Sequence, residues 1–314
     1  REPSGSLSTG CAPMTTCDYL LCGLRLRSGL PLPELAPWPG EASGEADVVV
    51  LRAPVAEPTA LTPSVGRWRI DANGAAVLRL ARARIRVSGG RLVEIDARDG
   101  PGDGWRVFLL GSALGALFHQ RGLLPLHAAS LRLDAAAIAI AAPSGAGKST
   151  LSSALARRGA MLLSDDLTVL RFDADGAAQI LPAFPRLRLR RDSAEAQGLE
   201  IEGRRRVAGL DKYDLGSALD FDAAPRRLDA VLILRLGAEP KLRRLSKLEA
   251  LPALWNNVFR RRLGMLLAGG DAFARAAALA RATPVYEFAR PKDFRALDAD
   301  AALIEERFAA GAPG

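Results

Sequence analysis

Apolar and polar positions alternate in short runs over the first third of the chain. Asp47 to Arg52, Ser64 to Ile70, Ala76 to Leu80 and Arg91 to Ile95 read as strands, and Tyr19 to Leu26 is apolar with polar interruptions. Pro31-Leu32-Pro33-Glu34 and Trp38-Pro39-Gly40 punctuate this pattern, while Asp71-Ala72-Asn73-Gly74 and Ser88-Gly89-Gly90 suit hairpin turns. Residues 17–106 therefore predict a small antiparallel β domain. Residues 1–16 carry no such pattern and read as a disordered leader.

The period changes at Val107. Leu109 to Gln120 has apolar residues at helical spacing and opens a second domain, 107–314. His127 to Leu133 reads as a strand, Asp134 as a tight turn, and Ala136 to Ala142 as a nearly continuous apolar strand suited to a buried sheet. Ser149 to Arg158 follows as a helix closed by Gly159. Met161 to Leu163 is the next strand, and Thr168 to Phe172 with Gln179 to Leu181 forms a hairpin. Farther on, Leu228 to Leu236 and Val285 to Phe288 read as strands. Leu251 to Leu267, Asp271 to Ala282 and Asp298 to Ala309 read as helices. The expected fold class is α/β or α+β, with the β domain in front.

Between the apolar strand and the helix lies Pro143-Ser144-Gly145-Ala146-Gly147-Lys148-Ser149-Thr150. This is a phosphate-binding loop in its expected context. Backbone N–H groups converge on phosphates there, and the helix N-terminus adds a favourable dipole. Gly145 and Gly147 let the backbone approach closely, Lys148 reaches the β- and γ-phosphates, and Ser149 offers its hydroxyl to Mg2+. The pattern usually begins with glycine, and this chain has Ala142 there.

Asp165 and Asp166 end the strand that follows the loop helix, at the sheet edge where ligands bind in open α/β sheets. One carboxylate is a candidate Mg2+ ligand, the other a candidate proton acceptor for an attacking hydroxyl. A turn or helix cap is the alternative use of two such residues. His127 begins the strand paired with the loop strand, where an imidazole can tune an aspartate; a structural role is the alternative. His119 at a helix end reads as structural. Arg186, Arg188 and Arg190 are candidates for steadying a phosphoryl group or for a basic strand face.

Composition narrows the partners. The chain has 314 residues, 49% hydrophobic and 25% charged, enough for packed cores. Its net charge of +8 comes mostly from arginine and suits an acidic partner. Aromatic content of 5% and the lack of a base-reading module argue against nucleic acid. Arg204-Arg205-Arg206 and Arg260-Arg261-Arg262 read as solvated faces. No stretch approaches the ~20 apolar residues of a membrane helix, which leads to an expected cytoplasmic location. Cys11, Cys17 and Cys22 lack a fourth ligand for zinc and read as reduced.

Three segments together resemble the catalytic domain of HPr kinase/phosphorylase, a relative of phosphoenolpyruvate carboxykinase. They are Leu126-His127-Ala128-Ala129-Ser130, Pro143 to Thr150, and Arg158-Gly159-Ala160-Met161-Leu162-Leu163-Ser164-Asp165-Asp166. Tyr19 to Leu35 resembles instead the HPr-kinase-like proteins encoded with lasso-peptide and other modified-peptide pathways, members of which phosphorylate a serine of a precursor peptide. The resemblance implies an ATP-dependent serine kinase. Ser144 to Thr150 hold the nucleotide phosphates, Ser149 and Asp165 serve Mg2+, Asp166 is the base, and His127 supports the acidic pair. It implies a peptide or small-protein acceptor, and a homo-oligomer is compatible with it. A small-molecule kinase and a non-catalytic nucleotide-binding regulator are the alternatives. An ABC-type ATPase would need a Leu-Ser-Gly-Gly-Gln-like signature, which is absent. Adenylylsulfate-type kinases lack the upstream histidine strand.

Overall fold

The computed structural model describes residues 16–58, 62–97, 104–143, 145–204, 212–215 and 219–309. Most of the leader, Cys11, Ser144, and Arg205 and Arg206 of the first arginine run lie outside these.

Residues 17–97 build a nine-stranded sheet. Its first hairpin pairs Cys17–Leu21 with Leu24–Ser28, so the stretch Tyr19 to Leu26 folds back on itself. The sheet is not purely antiparallel as the sequence pattern suggested. Leu24–Ser28 runs parallel to Val48–Arg52, which runs parallel to Leu92–Ala97. Long connections cross between these strands, and local periodicity cannot report strand direction.

The helix predicted over 109–120 begins earlier, at Gly104. It widens into a π segment over Leu109–Ala113 and finishes as α-helix at Gln120. Its buried residues join one hydrophobic cluster with strands of the nine-stranded sheet and with Val169, Leu181 and Phe184 from beyond it. That cluster therefore draws on both sides of residue 106.

The second half centres on a six-stranded sheet in the order Met161–Ser164, Ala128–Leu133, Ala136–Ala141, Ala230–Leu236, Val285–Arg290, Lys241–Arg244. Ala136–Ala141 runs parallel to Ala230–Leu236, which runs parallel to Val285–Arg290. Ala128–Leu133 is antiparallel to both Ala136–Ala141 and Met161–Ser164. Four strands thus end at one edge of the sheet, and Ala128–Leu133 begins there.

Every residue of Ala136–Ala141 is buried, as a strand covered on both faces requires. Period-two alternation sends Ile138 and Ile140 to a cluster with Leu151, Leu155, Ile304 and Phe308. It sends Ala137, Ala139 and Ala141 to a second cluster with Leu254, Leu279 and Val285. The sheet is therefore the middle of three layers. On one side lie helices Lys148–Arg157 and Leu297–Phe308; on the other lie Lys247–Asn256 and Gly270–Ala282. Each fully buried Leu or Ile contributes on the order of 1.5–3 kcal/mol, which makes these clusters the frame that fixes the edge.

The helix expected over Leu251 to Leu267 is broken. Helices Lys247–Asn256 and Arg261–Ala268 are separated by residues that pair with another segment. Val258 bridges Leu126, and the Phe259 N–H donates to the Pro125 carbonyl at 2.9 Å. Tertiary pairing overrides helical spacing here. Leu124–Leu126 itself joins a separate four-stranded sheet with Thr168–Phe172, Ala178–Leu181 and Arg226–Arg227. Among the described residues no single helix is long and apolar enough to cross a membrane. The pair Arg261–Ala268 and Gly270–Ala282 has the combined length and composition but bends by 118° at its break.

Candidate functional site

The shared sheet edge gathers the residues that the sequence singled out. The loop leaves Ala136–Ala141, the acidic pair leaves Met161–Ser164, and His127 immediately precedes Ala128–Leu133. Gly145 and Gly147 hold φ of +83° and +92°, where a Cβ is disfavoured, so both glycines serve the backbone path of the loop. Ala146 is buried against the loop helix side of the core. Ser144 lies outside the described residues.

Lys148, Ser149 and Thr150 form the first turn of helix Lys148–Arg157. The Lys148 ammonium donates to Asp166 Oδ1 at 2.7 Å and to Asp165 Oδ1 at 3.4 Å. The Ser149 hydroxyl donates to Asp165 Oδ1 at 3.2 Å, and the Arg188 backbone N–H donates to Asp165 Oδ2 at 3.1 Å. Thr150 Oγ1 turns away from the acids and donates to Ser193 Oγ at 3.1 Å.

Beneath the acidic turn runs a chain of buried hydroxyls. Ser130 and Ser164 share a hydrogen bond of 2.6 Å, Ser164 and Thr168 one of 2.9 Å, and Thr168 donates to the Ala128 carbonyl at 2.9 Å. Ser164 and Thr168 bracket Asp165-Asp166, so the chain pins both ends of that turn. Asp166 adopts φ of +62°, a left-handed backbone that Asp and Asn tolerate better than most residues.

The two carboxyls have opposite electrostatic fates. Burial and the charge of Asp166 push the Asp165 carboxyl above its ordinary value, although Lys148 pulls against them. Burial also acts on Asp166, but Lys148, Lys212 and the Lys148 hydrogen bond outweigh it and hold that carboxyl well below the usual range. Burial opposes the Lys148 charge, yet the two aspartates win and raise its pKa. The lysine is thus a cation at neutral pH.

His127 Nε2 lies 3.9 Å from Asp166 Oδ1, beyond hydrogen-bond reach. Its backbone N–H donates to the Asn257 carbonyl at 2.8 Å, which fixes where the ring emerges. Burial, then the Lys148 charge, lower its pKa, so the imidazole beside the acids is neutral at pH 7. His119 is buried, and its Nε2 donates to the Phe259 carbonyl at 2.8 Å, away from this site.

A cleft opens at this edge, lined by His127, Gly147, Lys148, Ser149 and Asp166, and of the three arginines proposed from sequence Arg188 and Arg190 line it too. Arg186 is buried and pairs with Asp214 at 2.9 Å. Arg188–Arg190 forms a two-stranded ribbon with Lys212–Asp214, which brings Lys212 to the same wall. Arg290, Lys292 and Phe294 form another part of the lining. Sequence reasoning missed Lys212 and these three. Arg290 had a signal: it lies just beyond a predicted strand at the ligand edge. Lys212 had none, because a ribbon of three residues leaves no periodicity.

The oxygen donors at the helix start suit a hard divalent cation. Adjacent ligands of an octahedral Mg2+ at about 2.0–2.1 Å stand ~3 Å apart, close to the 3.2 Å between Ser149 Oγ and Asp165 Oδ1. Among the described residues no group of three or more His, Cys, Asp or Glu side chains gathers to enclose a metal ion. Water and phosphate oxygens complete such a shell in sites that use one or two protein ligands. Cys17 and Cys22 are free thiols, distant in sequence from all of this.

No protein-family model matches the sequence, and no curated protein matches it. Among solved structures, the chain is similar to the Hpr(Ser) kinase/phosphatase from Coxiella burnetii. The identity is 16% and the TM-score 0.32, over 58% of this chain and 95% of that one. At that distance the likeness is a remote one.

Proposed function

We propose that this chain is an ATP-dependent phosphotransferase that moves the γ-phosphate to a serine hydroxyl of a peptide or small protein. The observation that carries this reading is the position of the Lys148 ammonium, at the start of the loop helix and within 2.7 Å of Asp166. A phosphate grip and a candidate base thus share one sheet edge.

The loop amides and Lys148 bind the phosphates and orient the γ-phosphoryl group. Ser149 and Asp165 would hold Mg2+, which would supply charge neutralisation to the phosphate chain. Asp166 accepts the proton of the acceptor hydroxyl as its oxygen bonds to the γ-phosphorus. The bond from that phosphorus to the β,γ-bridging oxygen breaks, and ADP departs with the electron pair. Neutral His127, with Nε2 3.9 Å from Asp166 Oδ1, adds no charge beside that carboxylate. Arg188, Arg190 and Lys212 give the cleft a basic wall suited to an acidic acceptor.

The test is incubation of the purified protein with γ-labelled ATP, Mg2+ and serine-containing peptides, modified-peptide precursors included. Lys148→Ala and Asp166→Asn are expected to abolish transfer. Full activity in both variants would overturn the site. Label on metabolites but never on peptides would instead make the chain a small-molecule kinase. Binding without transfer to any acceptor would make it a regulator.

A further inference from the structure

Arg290 ends the strand Val285–Arg290, on the same sheet edge as the loop. It is 3% exposed and yet lines the cleft. Burying a guanidinium costs several kcal/mol unless it is paired, so its partners define what it can do. Its Nε donates to Asp300 Oδ2 at 2.6 Å, and Asp300, on helix Leu297–Phe308, is itself buried. Nη2 reaches the Asp293 carbonyl at 3.4 Å.

That leaves the outer end of the fork. A guanidinium carries five N–H donors in a fixed plane. Among the described residues, Nη1 has no hydrogen-bond acceptor. It points at the loop, since a Cβ added to Gly147 would stand 3.2 Å from Nη1. Gly147 is the residue just before Lys148, where a loop of this kind brings its amides to phosphate. The inner end of Arg290 is therefore locked to a buried carboxylate, and its free donors face the phosphate cradle. Such a side chain loses little conformational freedom when an anion arrives.

We propose that Arg290 is a second phosphate-binding cation of this cleft, contacting the phosphate chain directly, with Asp300 as its positioning residue. The proposal rests on the nucleotide reading above. It assigns the cleft two cations with different chemistry. Lys148 is a flexible point charge already engaged by two aspartates; Arg290 is a pre-oriented fork whose outer donors are unengaged.

Isothermal titration with Mg-ATP and with inorganic pyrophosphate tests it on the full chain. Arg290→Gln is expected to weaken both ligands roughly tenfold or more, as loss of a charged hydrogen bond does. Arg290→Lys should recover part of that loss. Asp300→Asn should weaken both ligands less than Arg290→Gln does and should steepen the salt dependence of binding. Should Arg290→Gln fail to fold, the double variant Arg290→Met with Asp300→Leu removes the pair without stranding a buried charge. Its expected loss of affinity is the same. Unchanged affinity in a folded Arg290 variant, with only a lower melting temperature, would reduce the pair to a tie between strand and helix and overturn the proposal. Failure of the unaltered protein to bind either ligand would overturn the nucleotide reading, and this proposal with it.

Discussion

Lys148 and Asp166, eighteen positions apart in sequence, meet at 2.7 Å, the closest approach in the charged cluster they share with Asp165. The pair joins the proposed phosphate grip to the proposed base, and the two roles conflict. An aspartate engaged by an ammonium is held well below its ordinary pKa and is a poor proton acceptor. A phosphate chain that competes for Lys148 relaxes that hold. Nucleotide binding is therefore expected to raise the Asp166 pKa. Carboxyl resonances of labelled aspartate, titrated with and without a non-hydrolysable ATP analogue, report it directly. An Asp166 titration indifferent to the analogue would break the link between grip and base.

The backbone at Asp166 separates two substitutions that remove the same charge. With φ at +62°, asparagine keeps the turn, whereas alanine adds a left-handed strain of about 1–2 kcal/mol. Asp166→Asn should melt near the unaltered protein and lose phosphoryl transfer by at least roughly 100-fold, the usual share of a general base. Asp166→Ala should lose as much activity and also melt several degrees lower. Equal melting temperatures would mean that the turn is not held as described.

Ser149 makes a narrower claim. Its hydroxyl and Asp165 Oδ1 stand 3.2 Å apart, the spacing of neighbouring ligands on one Mg2+. Ser149→Ala should leave metal-free nucleotide binding nearly intact while raising the Mg2+ concentration needed for half-maximal transfer roughly tenfold or more. A rate measured across a Mg2+ titration decides it, and an unshifted midpoint removes Ser149 from the metal.

Much of this edge was legible in the sequence because it is built from local signals. A strand, a glycine-rich loop and a helix in unbroken succession predict a loop at a strand's end, and Ser164-Asp165-Asp166 ends the next strand. Sheet order was not legible. His127 reaches the acids because Ala128–Leu133 lies between Ala136–Ala141 and Met161–Ser164, a relation set by long-range pairing. The same cause hid the break at Asn257 to Arg260, where pairing with Pro125 to His127 competes with helical spacing. Arg290 was hidden twice. Its strand had to be placed beside Ala230–Leu236, and its partner Asp300 sits on a separate element, helix Leu297–Phe308.

Two glycines away from the site make a paired test of packing. A Cβ on Gly264 would stand 2.5 Å from the buried His119 ring, whose Nε2 is already committed to the Phe259 carbonyl. Gly264→Ala should cost about 1–3 kcal/mol through overpacking. A Cβ on Gly111 meets nothing within 4 Å, so Gly111→Ala should add about 0.5 kcal/mol or more by lowering the entropy of the unfolded chain. Denaturant midpoints measure both, and a stable Gly264→Ala protein would contradict the described placement of His119.

The neutral state of His127 fixes the sign of a pH effect. Burial and the Lys148 charge hold its pKa below the ordinary value, so the unfolded chain takes a proton at a higher pH than the folded one. Its contribution to stability is complete above about pH 6.5, the unfolded value, and is lost progressively as pH falls below it. His119, lowered chiefly by burial, acts in the same direction. Asp165, raised by burial, acts oppositely, because protonating it relieves a cost of the fold. Comparing the unaltered protein with His127→Gln cancels what the two share. Between about pH 7 and 5.5 the melting temperature of His127→Gln should fall by less than that of the unaltered protein. The remaining slope belongs largely to His119. An equal or steeper fall in His127→Gln would mean that folding does not favour the neutral ring, and with it the view of His127 as an uncharged neighbour of the proposed base would fail.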